Sequence, residues 1–494
     1  MSSSDWPTDP VVTEAPTAPL PVADGLVAVV KRDCPTCALV APVLTRLGAD
    51  VAVYSQDDPT FPAGCAARDD RDLEVSFALD IATVPTLLVV REGRIVERCE
   101  GWDRSHWQAV TGVADLGADL PEWKPGCGSR THDPEVVDAR LVAAIAPRLR
   151  ARRVDIGTDE DEAEAMYARG WTDGLPVVPP TVARVARMLA GTTRAPSDVV
   201  AVVPPDLVEC TVEKVAINAV MAGCRPEHLP VVLAAVEAAC TDTFNMHGLL
   251  ATTWFAGPLV VVNGPVARRI GMNSGINALG PGNRANATIG RALQLVVRNV
   301  GGGRPGGVDR ATLGNPGKYT FCFAEDEAGS PWEPLAAERG LAAGTDAVTL
   351  FAAEGPRGVV DQLSRTPESL ARSFAACLRT VAHPKNVFVW DAMLVISPEH
   401  ARVFRAGGWS KARLREELGA LLDLPAEELV RGAAGIAEGM PEALCAPGTR
   451  LPKFRPGGLQ IVHAGGGAGL FSAIIGGWAS GAVGSEPVTL EVRP

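Results

Sequence analysis

A Cys-x-x-Cys pair, Cys34 and Cys37, stands between two apolar segments of different periodicity. Residues 26–30 form a continuous, valine-rich run that predicts a buried strand, and residues 38–44 have the spacing of a helix. The free N–H groups at the start of such a helix stabilise a thiolate. We therefore predict a redox-active pair, in which Cys34 is the nucleophile and Cys37 resolves the mixed disulfide formed at Cys34. Taken alone, the pair also fits half of a zinc site or two packed thiols.

A second segment, residues 83–86, has the sequence Thr-Val-Pro-Thr and is followed by an apolar run and a hairpin-like turn at 92–96. Together with the cysteine pair, this segment resembles the thioredoxin superfamily over residues 24–115. The resemblance implies that the Val84–Pro85 peptide is cis and lies against the cysteine pair. It also implies that the backbone of Val84 and Pro85 holds a bound thiol substrate.

Two positions depart from the usual pattern of that superfamily. Asp33 precedes the first cysteine, where thioredoxins usually have Trp, and its negative charge should oppose thiolate formation. The inner dipeptide, Pro-Thr, is closer to that of glutaredoxins. Whether the pair reduces or oxidises its partner is therefore left open by the sequence. Cys65 and Cys99 lack a comparable context, and we expect them to be buried thiols.

The composition is typical of a globular chain with more than one domain. The 494 residues are 47% hydrophobic and 21% charged, which predicts two or three folded units. A net charge of −12 argues against nucleic acid and anionic membranes as partners, and the apolar runs are too short to span a bilayer. The 11 cysteines are widely spaced, unlike a disulfide framework, which favours a reducing cytoplasm. Residues 1–23 lack the pattern of a secretory signal, and we expect them to be disordered.

Beyond the redox module, the pattern predicts a connector and a larger domain. Residues 116–160 form the connector, which contains Cys127, and residues 161–494 form an α/β domain with a central sheet. Strands are predicted at 199–203, 259–262, 319–324 and 387–396, and helices at 212–221, 229–239 and 287–300. The stretches 170–181 and 211–224 resemble bacterial proteins without an assigned activity, so they imply a folded unit but no reaction.

A polar, glycine-rich loop at residues 271–288 leads into a predicted helix. Helix N-termini attract anions, so we predict a site for a carboxylate or phosphate, formed by Asn273, Ser274, Asn283, Arg284 and Asn286. An ordinary surface loop is the alternative. A second glycine-rich turn, at 465–469, matches only part of a dinucleotide-binding pattern, and no cofactor is predicted.

Four further residues are candidates for catalysis. His400 lies at the end of a predicted strand and the start of a helix, where ligand sites of α/β sheets gather, and His247 lies in a turn-like context. Either could serve as a general acid or base, although a structural or solvent-exposed histidine is the more common case. Cys127, between two glycines, and Cys224, beside an arginine, have the surroundings of reactive thiols, whereas a buried inert thiol is the default. The spacing of Cys127 and His132 does not complete a tetrahedral site, so no metal is predicted.

These features favour a two-part enzyme. The N-terminal module would perform thiol–disulfide exchange and serve a cysteine or a sulfur-bearing intermediate in the large domain, which would bind a small anionic or thiol-containing substrate. An external thiol reductase is an expected partner. One alternative is a redox-sensing or thiol-delivery protein whose large domain binds a protein partner without turnover, and another is a large domain whose chemistry does not involve thiols. The sequence leaves open whether the protein forms a homo-oligomer.

Overall fold

The computed structural model describes residues 20–432, 438–478 and 484–494. The chain divides into two compact units, Met1–Leu141 and Val142–Pro494, which we call the first unit and the second unit. Both combine helices with sheets, which confirms the α/β class. The boundary between them falls inside the predicted connector. Most of the N-terminal segment predicted to be disordered lies outside the described residues.

The first unit is built around one mixed sheet. Its strands are β1 (Gly25–Val30), β2 (Val51–Ser55), β3 (Arg68–Asp69), β4 (Thr83–Val84), β5 (Thr86–Arg91), β6 (Arg94–Glu100), β7 (Trp102–Asp103), β8 (Trp123–Lys124) and β9 (Cys127–Gly128). Its helices are α1 (Pro35–Leu47), α2 (Glu74–Ala78) and α3 (Arg104–Thr111), while α4 (Pro134–Ile145) contains the unit boundary. Five strands form the sheet, in the order β3-β2-β1-β5-β6. The central strand β1 is parallel to β2 and antiparallel to β5, with Val27 opposite both Ala52 and Leu88.

Helix α1 follows β1 after a short turn and packs its apolar face on the sheet. Val40 and Leu44 are one helical turn apart, and both are fully buried in the core of the first unit. Pro35 opens the helix, and Gly48 ends it with a positive φ of 57°. The connection from β1 therefore places the cysteine pair in the first turn of α1, at the end of the central strand.

The second unit contains more elements, among them two four-stranded and two two-stranded sheets in its described residues. Its helices are α5 (Glu162–Ala168), α6 (Val182–Leu189), α7 (Val212–Ala222), α8 (Leu229–Ala239), α9 (Met246–Ala251), α10 (Pro265–Arg269), α11 (Arg284–Asn299), α12 (Leu335–Glu338), α13 (Pro367–Leu378), α14 (Pro398–Ala406) and α15 (Lys411–Leu421). Its strands are β10 (Val199–Val203), β11 (Val208–Thr211), β12 (Gly257–Asn263), β13 (Cys322–Ala324), β14 (Ala347–Ala353), β15 (Arg357–Val360), β16 (Trp390–Ile396), β17 (Asp423–Pro425), β18 (Arg450–Pro452), β19 (Phe454–His463), β20 (Phe471–Gly476) and β21 (Val488–Glu491). The two four-stranded sheets have the orders β13-β12-β14-β21 and β15-β20-β16-β19.

The two four-stranded sheets of the second unit pack face to face, with helices on their outer faces. Along β12, Val261 belongs to the core between the sheets, whereas Val260 and Val262 belong to the core under α7, α8 and α11. Along β16, Val395 belongs to the core between the sheets and Leu394 to the core under α13, α14 and α15. Successive side chains of a strand point to opposite faces, so each sheet is covered on both sides. The α/β domain predicted with a central sheet is therefore present, and its centre consists of two packed four-stranded sheets.

None of the helices within the described ranges is long and apolar enough to cross a membrane.

Candidate functional site

The Cys34 thiol lies at the N-terminus of α1, where it occupies the N-cap position. Its Sγ accepts a hydrogen bond from the backbone N–H of Cys37 at 3.2 Å. The pKa of Cys34 is lowered from an ordinary 9.0 to about 5, first because the Cys37 thiol donates a hydrogen bond to it. Burial acts in the opposite direction, and a hydrogen bond from the Cys127 thiol and the N–H groups of Cys37 and Thr36 lower the pKa further. Cys34 is therefore a thiolate at neutral pH.

Cys37 has the opposite character. Its side chain is fully buried, and burial raises its pKa far above the ordinary value, with a further increase because it donates to the Cys34 sulfur. The backbone N–H of Lys31, 3.5 Å from its sulfur, only partly offsets this. The pair therefore holds one proton on Cys37 and one negative charge on Cys34, as expected for a nucleophile and its resolving partner.

Asp33 does not prevent this charge distribution. Asp33 is exposed, so water and salt screen the charge of its carboxylate. Its backbone N–H, like that of Arg32, donates to the carboxylate of Asp57, at 3.0 and 2.7 Å respectively. These bonds fix the turn before the cysteine pair, so the residue contributes to the geometry of the site through its backbone.

The segment around Pro85 lies against Cys34. The Val84–Pro85 peptide is cis, as the resemblance implies. The carbonyl oxygen of Val84 is 3.4 Å from Cys34 Sγ and accepts its hydrogen bond when the thiol is protonated. Val84 is fully buried. The predicted contact between this backbone segment and the cysteine pair is therefore present.

A third thiol joins the site, and it comes from the predicted connector. Strand β4 pairs antiparallel with β9, which places Val84 opposite Cys127. The thiol of Cys127 is half-buried and within hydrogen-bond reach of the Cys34 sulfur. Its pKa is raised, first by burial and then by the hydrogen bond to Cys34 and the charge there. Cys127 therefore belongs to the first unit and lies in contact with the Cys34 sulfur.

Glycines allow the segment that contains Cys127 to lie close to the backbone of β4 and of Gly101. A Cβ on Gly126 would overlap the side chain of Thr83 and lie 2.8 Å from the carbonyl oxygen of Val84. Gly101 has a positive φ of 73°, and a Cβ there would lie 2.7 Å from the backbone nitrogen of Gly126 and 2.9 Å from the carbonyl oxygen of Lys124. Only residues without a Cβ fit these two positions. Strand pairing at the cysteine site thus explains the glycine before Cys127, whereas nothing lies within 4 Å of a Cβ added to Gly128.

Polar bonds hold the rest of the segment in place. The hydroxyl of Thr36, in the first turn of α1, donates to the carbonyl of Pro125 at 2.7 Å. The buried amide of Gln56 donates to the hydroxyl of Ser129 at 2.6 Å and accepts from the N–H of Arg130 at 3.1 Å. Residues on both sides of the third thiol are therefore anchored to the first unit, and the position of Cys127 is a built feature of that unit.

The other predicted reactive thiol, Cys224, is not comparable. It is buried in the second unit, where its Sγ donates to the carbonyl of Thr288 at 3.4 Å. Burial raises its pKa to about 12. Burial raises the pKa of Cys210 and Cys240 to about 12 as well. These thiols are protonated at neutral pH, so the default interpretation as inert buried cysteines fits them.

In the loop at 271–288, polar side chains bond to the loop itself or to nearby backbone. Asn286 Oδ1 accepts a hydrogen bond from the backbone N–H of Asn273 at 3.0 Å, and Asn286 Nδ2 donates one to the backbone carbonyl of Asn273 at 2.8 Å. Asn283 caps α11 at 3.0 Å, and Arg284 donates through Nε to the carbonyl of Gly223 at 2.9 Å. The backbone carbonyl of Ser274 accepts from the N–H of Gly465 at 2.8 Å. These contacts give the predicted anion-binding residues a structural role in holding the loop.

The two histidine candidates differ in their surroundings. His400 is buried, and both ring nitrogens have partners, with Ser472 Oγ at 2.7 Å and the carbonyl of Asp361 at 3.0 Å. This is the arrangement of a structural histidine. His247 is exposed on the short helix α9. Both histidines belong to the second unit, whereas the cysteine site is part of the first.

Sequence reasoning missed a buried ion cluster at the carboxyl ends of β12, β13 and β19. Glu325 directly follows β13 and is buried, and it accepts from Asn263 Nδ2 at 2.8 Å. Lys411 lies 3.9 Å from Glu325 and 2.9 Å from Glu338. Burial raises the pKa of Glu325, and the charge of Lys411 opposes this. Asn263 and Glu325 each follow a run that the sequence identified as a strand, which was the available signal.

The second unit also contains a cavity of about 650 Å³, within the usual size range of ligand sites. Apolar and polar side chains line it, among them Met166, Trp171, Lys214, Ile217, Asn218 and Asn299. The amide nitrogen of Asn299 donates to the carbonyl of Trp171 at 3.0 Å and to Asn218 Oδ1 at 2.9 Å. Its buried Oδ1 has no hydrogen-bond partner among the described residues.

The described residues contain no group of three or more His, Cys, Asp or Glu side chains arranged to hold a metal ion. No protein-family model matches the chain, and neither a curated protein nor a solved structure matches it. The geometry around Cys34 is therefore the basis on which a function is assigned.

Proposed function

We propose that the first unit is a thioredoxin-like thiol–disulfide oxidoreductase. The observation that carries the proposal is the division of charge within the pair: Cys34 has a pKa of about 5, while the pKa of buried Cys37 is far above its ordinary value. The Cys34 thiolate attacks a disulfide of the substrate and forms a mixed disulfide, and one half of the substrate leaves as a thiol. Cys37 then attacks the Cys34 sulfur, which forms the Cys34–Cys37 disulfide and releases the second thiol.

The thiols of the chain support a reducing environment for this reaction. All 11 cysteines are free, as is usual for proteins of the cytoplasm. The free thiols support the proposal that the protein is cytoplasmic. A Cys34–Cys37 disulfide formed in one turnover has to be reduced again, so the proposal includes an external thiol reductant as partner.

The test is catalysis of insulin disulfide reduction by dithiothreitol with the full chain. We expect the wild-type protein to accelerate the reaction and Cys34→Ser to lose this activity. Cys65→Ser is the matched control, because Cys65 is another partly exposed thiol of the first unit and should retain the wild-type rate. A wild-type protein that does not accelerate the reaction would contradict the proposal and favour the redox-sensing or thiol-delivery alternative.

For the second unit we propose binding of a small molecule with an apolar body in the cavity near Trp171. The specific observation is a volume of about 650 Å³ beside a buried amide oxygen of Asn299 that has no partner in the described part of the chain. A buried acceptor of this kind is normally satisfied by a donor. Arg152 and Arg153 are exposed members of the lining, as are Asp155 and Glu162, so an anionic group of the ligand is favourable beside the two arginines. The small anionic substrate predicted from the sequence was assigned to the loop at 271–288 and not to this cavity.

The probe for this cavity is 8-anilinonaphthalene-1-sulfonate, which has apolar rings and one anionic group. We expect its fluorescence to increase with wild-type protein and with Leu313→Trp, a control at a position that is 80% exposed. Ile217→Trp fills the cavity and should abolish the increase. Equal binding by Ile217→Trp and wild-type protein, or no binding by either, would contradict the cavity as a ligand site.

A further inference from the structure

The Cys34 sulfur is flanked by two thiols with different access to solvent. Cys37 is 0% exposed and lies under the first turn of α1. Cys127 is half-buried and lies on β9, which pairs with β4. Both donate to Cys34, and the backbone N–H of Thr36 lowers the pKa of Cys34 and of Cys127 alike. A disulfide at Cys34 therefore has two potential attacking groups within the same unit.

The contact between Cys34 and Cys127 is fixed by the backbone. The register of β4 and β9 sets Cys127 opposite Val84, whose carbonyl oxygen is 3.4 Å from Cys34 Sγ. The Thr36 hydroxyl ties the segment to α1 through the carbonyl of Pro125 at 2.7 Å. Gly126 permits an approach that any other residue would block. Since the surrounding bonds specify this position, the third thiol is a defined member of the site.

We propose that Cys127 is a second resolving thiol for Cys34, an inference that rests on the oxidoreductase function proposed above. In the step, the mixed disulfide between Cys34 and a substrate thiol is attacked at the Cys34 sulfur by the Cys127 thiolate. The Cys34–Cys127 bond forms as the bond from Cys34 to the substrate sulfur breaks. The substrate leaves as a thiolate and takes up the proton that Cys127 has given up, so no further oxidant is consumed.

The electrostatics of the site favour this step once Cys34 has reacted. The negative charge of Cys34 is one of the causes that raise the pKa of Cys127, and it disappears when Cys34 enters a mixed disulfide. The N–H of Thr36 and the charge of Lys31 then continue to lower the pKa of Cys127. Burial remains the first cause that raises the pKa of both thiols, and loss of the Cys34 charge relieves both. Since Cys37 is fully buried and Cys127 only partly, Cys127 is a second nucleophile with better access to solvent.

The experiment follows Cys34 of the full chain in Cys37→Ser and in the double variant Cys37→Ser/Cys127→Ser. Each reduced protein is treated with glutathione disulfide, quenched with acid at several times, alkylated and digested with trypsin. Mass spectrometry then measures the glutathione adduct of Cys34 and the peptide cross-linked through Cys34 and Cys127. A protein thiol with an effective concentration of about 1 mM should resolve the adduct about 100-fold faster than free glutathione at about 10 µM.

We expect the adduct of Cys37→Ser to disappear about 100-fold faster than that of the double variant, with the cross-linked peptide taking its place. A third variant, Cys37→Ser/Cys65→Ser, should behave like Cys37→Ser. An adduct that persists equally in Cys37→Ser and the double variant would overturn the role of Cys127 while leaving Cys34 as the nucleophile. Absence of any adduct on Cys34 in all variants would overturn both this inference and the proposed function.

Discussion

The charge on Cys34 leads to a quantitative prediction for alkylation. With a pKa of about 5, Cys34 is about 50% thiolate at pH 5, whereas an ordinary thiol with a pKa of about 8.5 is about 0.03% thiolate. A thiolate of lower pKa is also less nucleophilic, and a Brønsted coefficient of about 0.45 makes it about 40-fold less reactive over that difference in pKa. Taken together, the two effects make Cys34 react about 40-fold faster than an ordinary thiol at pH 5.

The assay is iodoacetamide alkylation between pH 4 and 9, with Cys34 quantified by peptide mass spectrometry. We expect a midpoint near pH 5 for the wild-type protein and for Cys37→Ser, because a serine hydroxyl still donates to the Cys34 sulfur. Cys37→Ala removes the donor that contributes most to the low pKa, so its midpoint should move upward. A wild-type midpoint above pH 8, or an unchanged midpoint in Cys37→Ala, would refute this explanation of the thiolate.

Three further predictions concern stability. The thiolate has a folded-state pKa below its unfolded value, so the stability it gives the reduced protein is fully present above the unfolded pKa, near 8.5, and is lost as pH falls through about 5. Urea unfolding at pH 8 and pH 4 measures the free energy of unfolding of the reduced protein relative to that of the oxidised protein. We expect this difference to fall towards low pH, and a pH-independent difference would contradict the stabilising role of the thiolate. Gly126→Ala should lower the free energy of unfolding by about 1–3 kcal/mol, because its Cβ overlaps β4. Gly128→Ala, where nothing lies within 4 Å of the added Cβ, should change it little, and equal effects in the two variants would be evidence against the close approach. Lys411→Met leaves buried Glu325 without its cation, while Glu338 keeps Arg415 at 3.0 Å, and should cost about 3–5 kcal/mol at neutral pH; a loss below about 1 kcal/mol in chemical denaturation would argue against the ion cluster.

Local sequence signals predicted the helices of the second unit well. The helix predicted at 229–239 is α8 (Leu229–Ala239), and the one predicted at 212–221 is α7 (Val212–Ala222). The hydroxyl of Thr211 caps the start of α7, and Gly223 ends it in the left-handed conformation. Helix boundaries of this kind depend on residues within one turn of the boundary, so they can be inferred without knowledge of the tertiary fold.

The pairing of strands was not predictable in the same way. Val261 and Val262 are equally apolar, yet they belong to the cores on opposite faces of one sheet. A continuous apolar strand is buried on both faces, but its composition does not say whether a helix or another sheet covers each face. For this reason the sequence predicts a central sheet in an α/β domain but not its division into two packed four-stranded sheets.

In the candidate site too, residues in local motifs were predictable, whereas contacts made by distant strand pairing were not. Cys34, Cys37 and the Val84–Pro85 peptide were identified from local motifs and come together in the structure. Cys127 was assigned to a connector, because its contact with Cys34 arises from strand pairing between distant segments. Asparagine both binds anions and satisfies backbone groups in turns, so the role of the loop at 271–288 could not be decided from its residue types.

The most direct test of the account is an equilibrium titration of the wild-type chain with mixtures of reduced and oxidised glutathione. After acid quenching and alkylation, mass spectrometry measures the fraction of protein with a Cys34–Cys37 disulfide at each redox potential. We expect a single reversible transition in which this disulfide forms and is lost again as the ratio is changed. Cys34 and Cys37 that remain reduced over the whole range, or that become oxidised irreversibly, would contradict it.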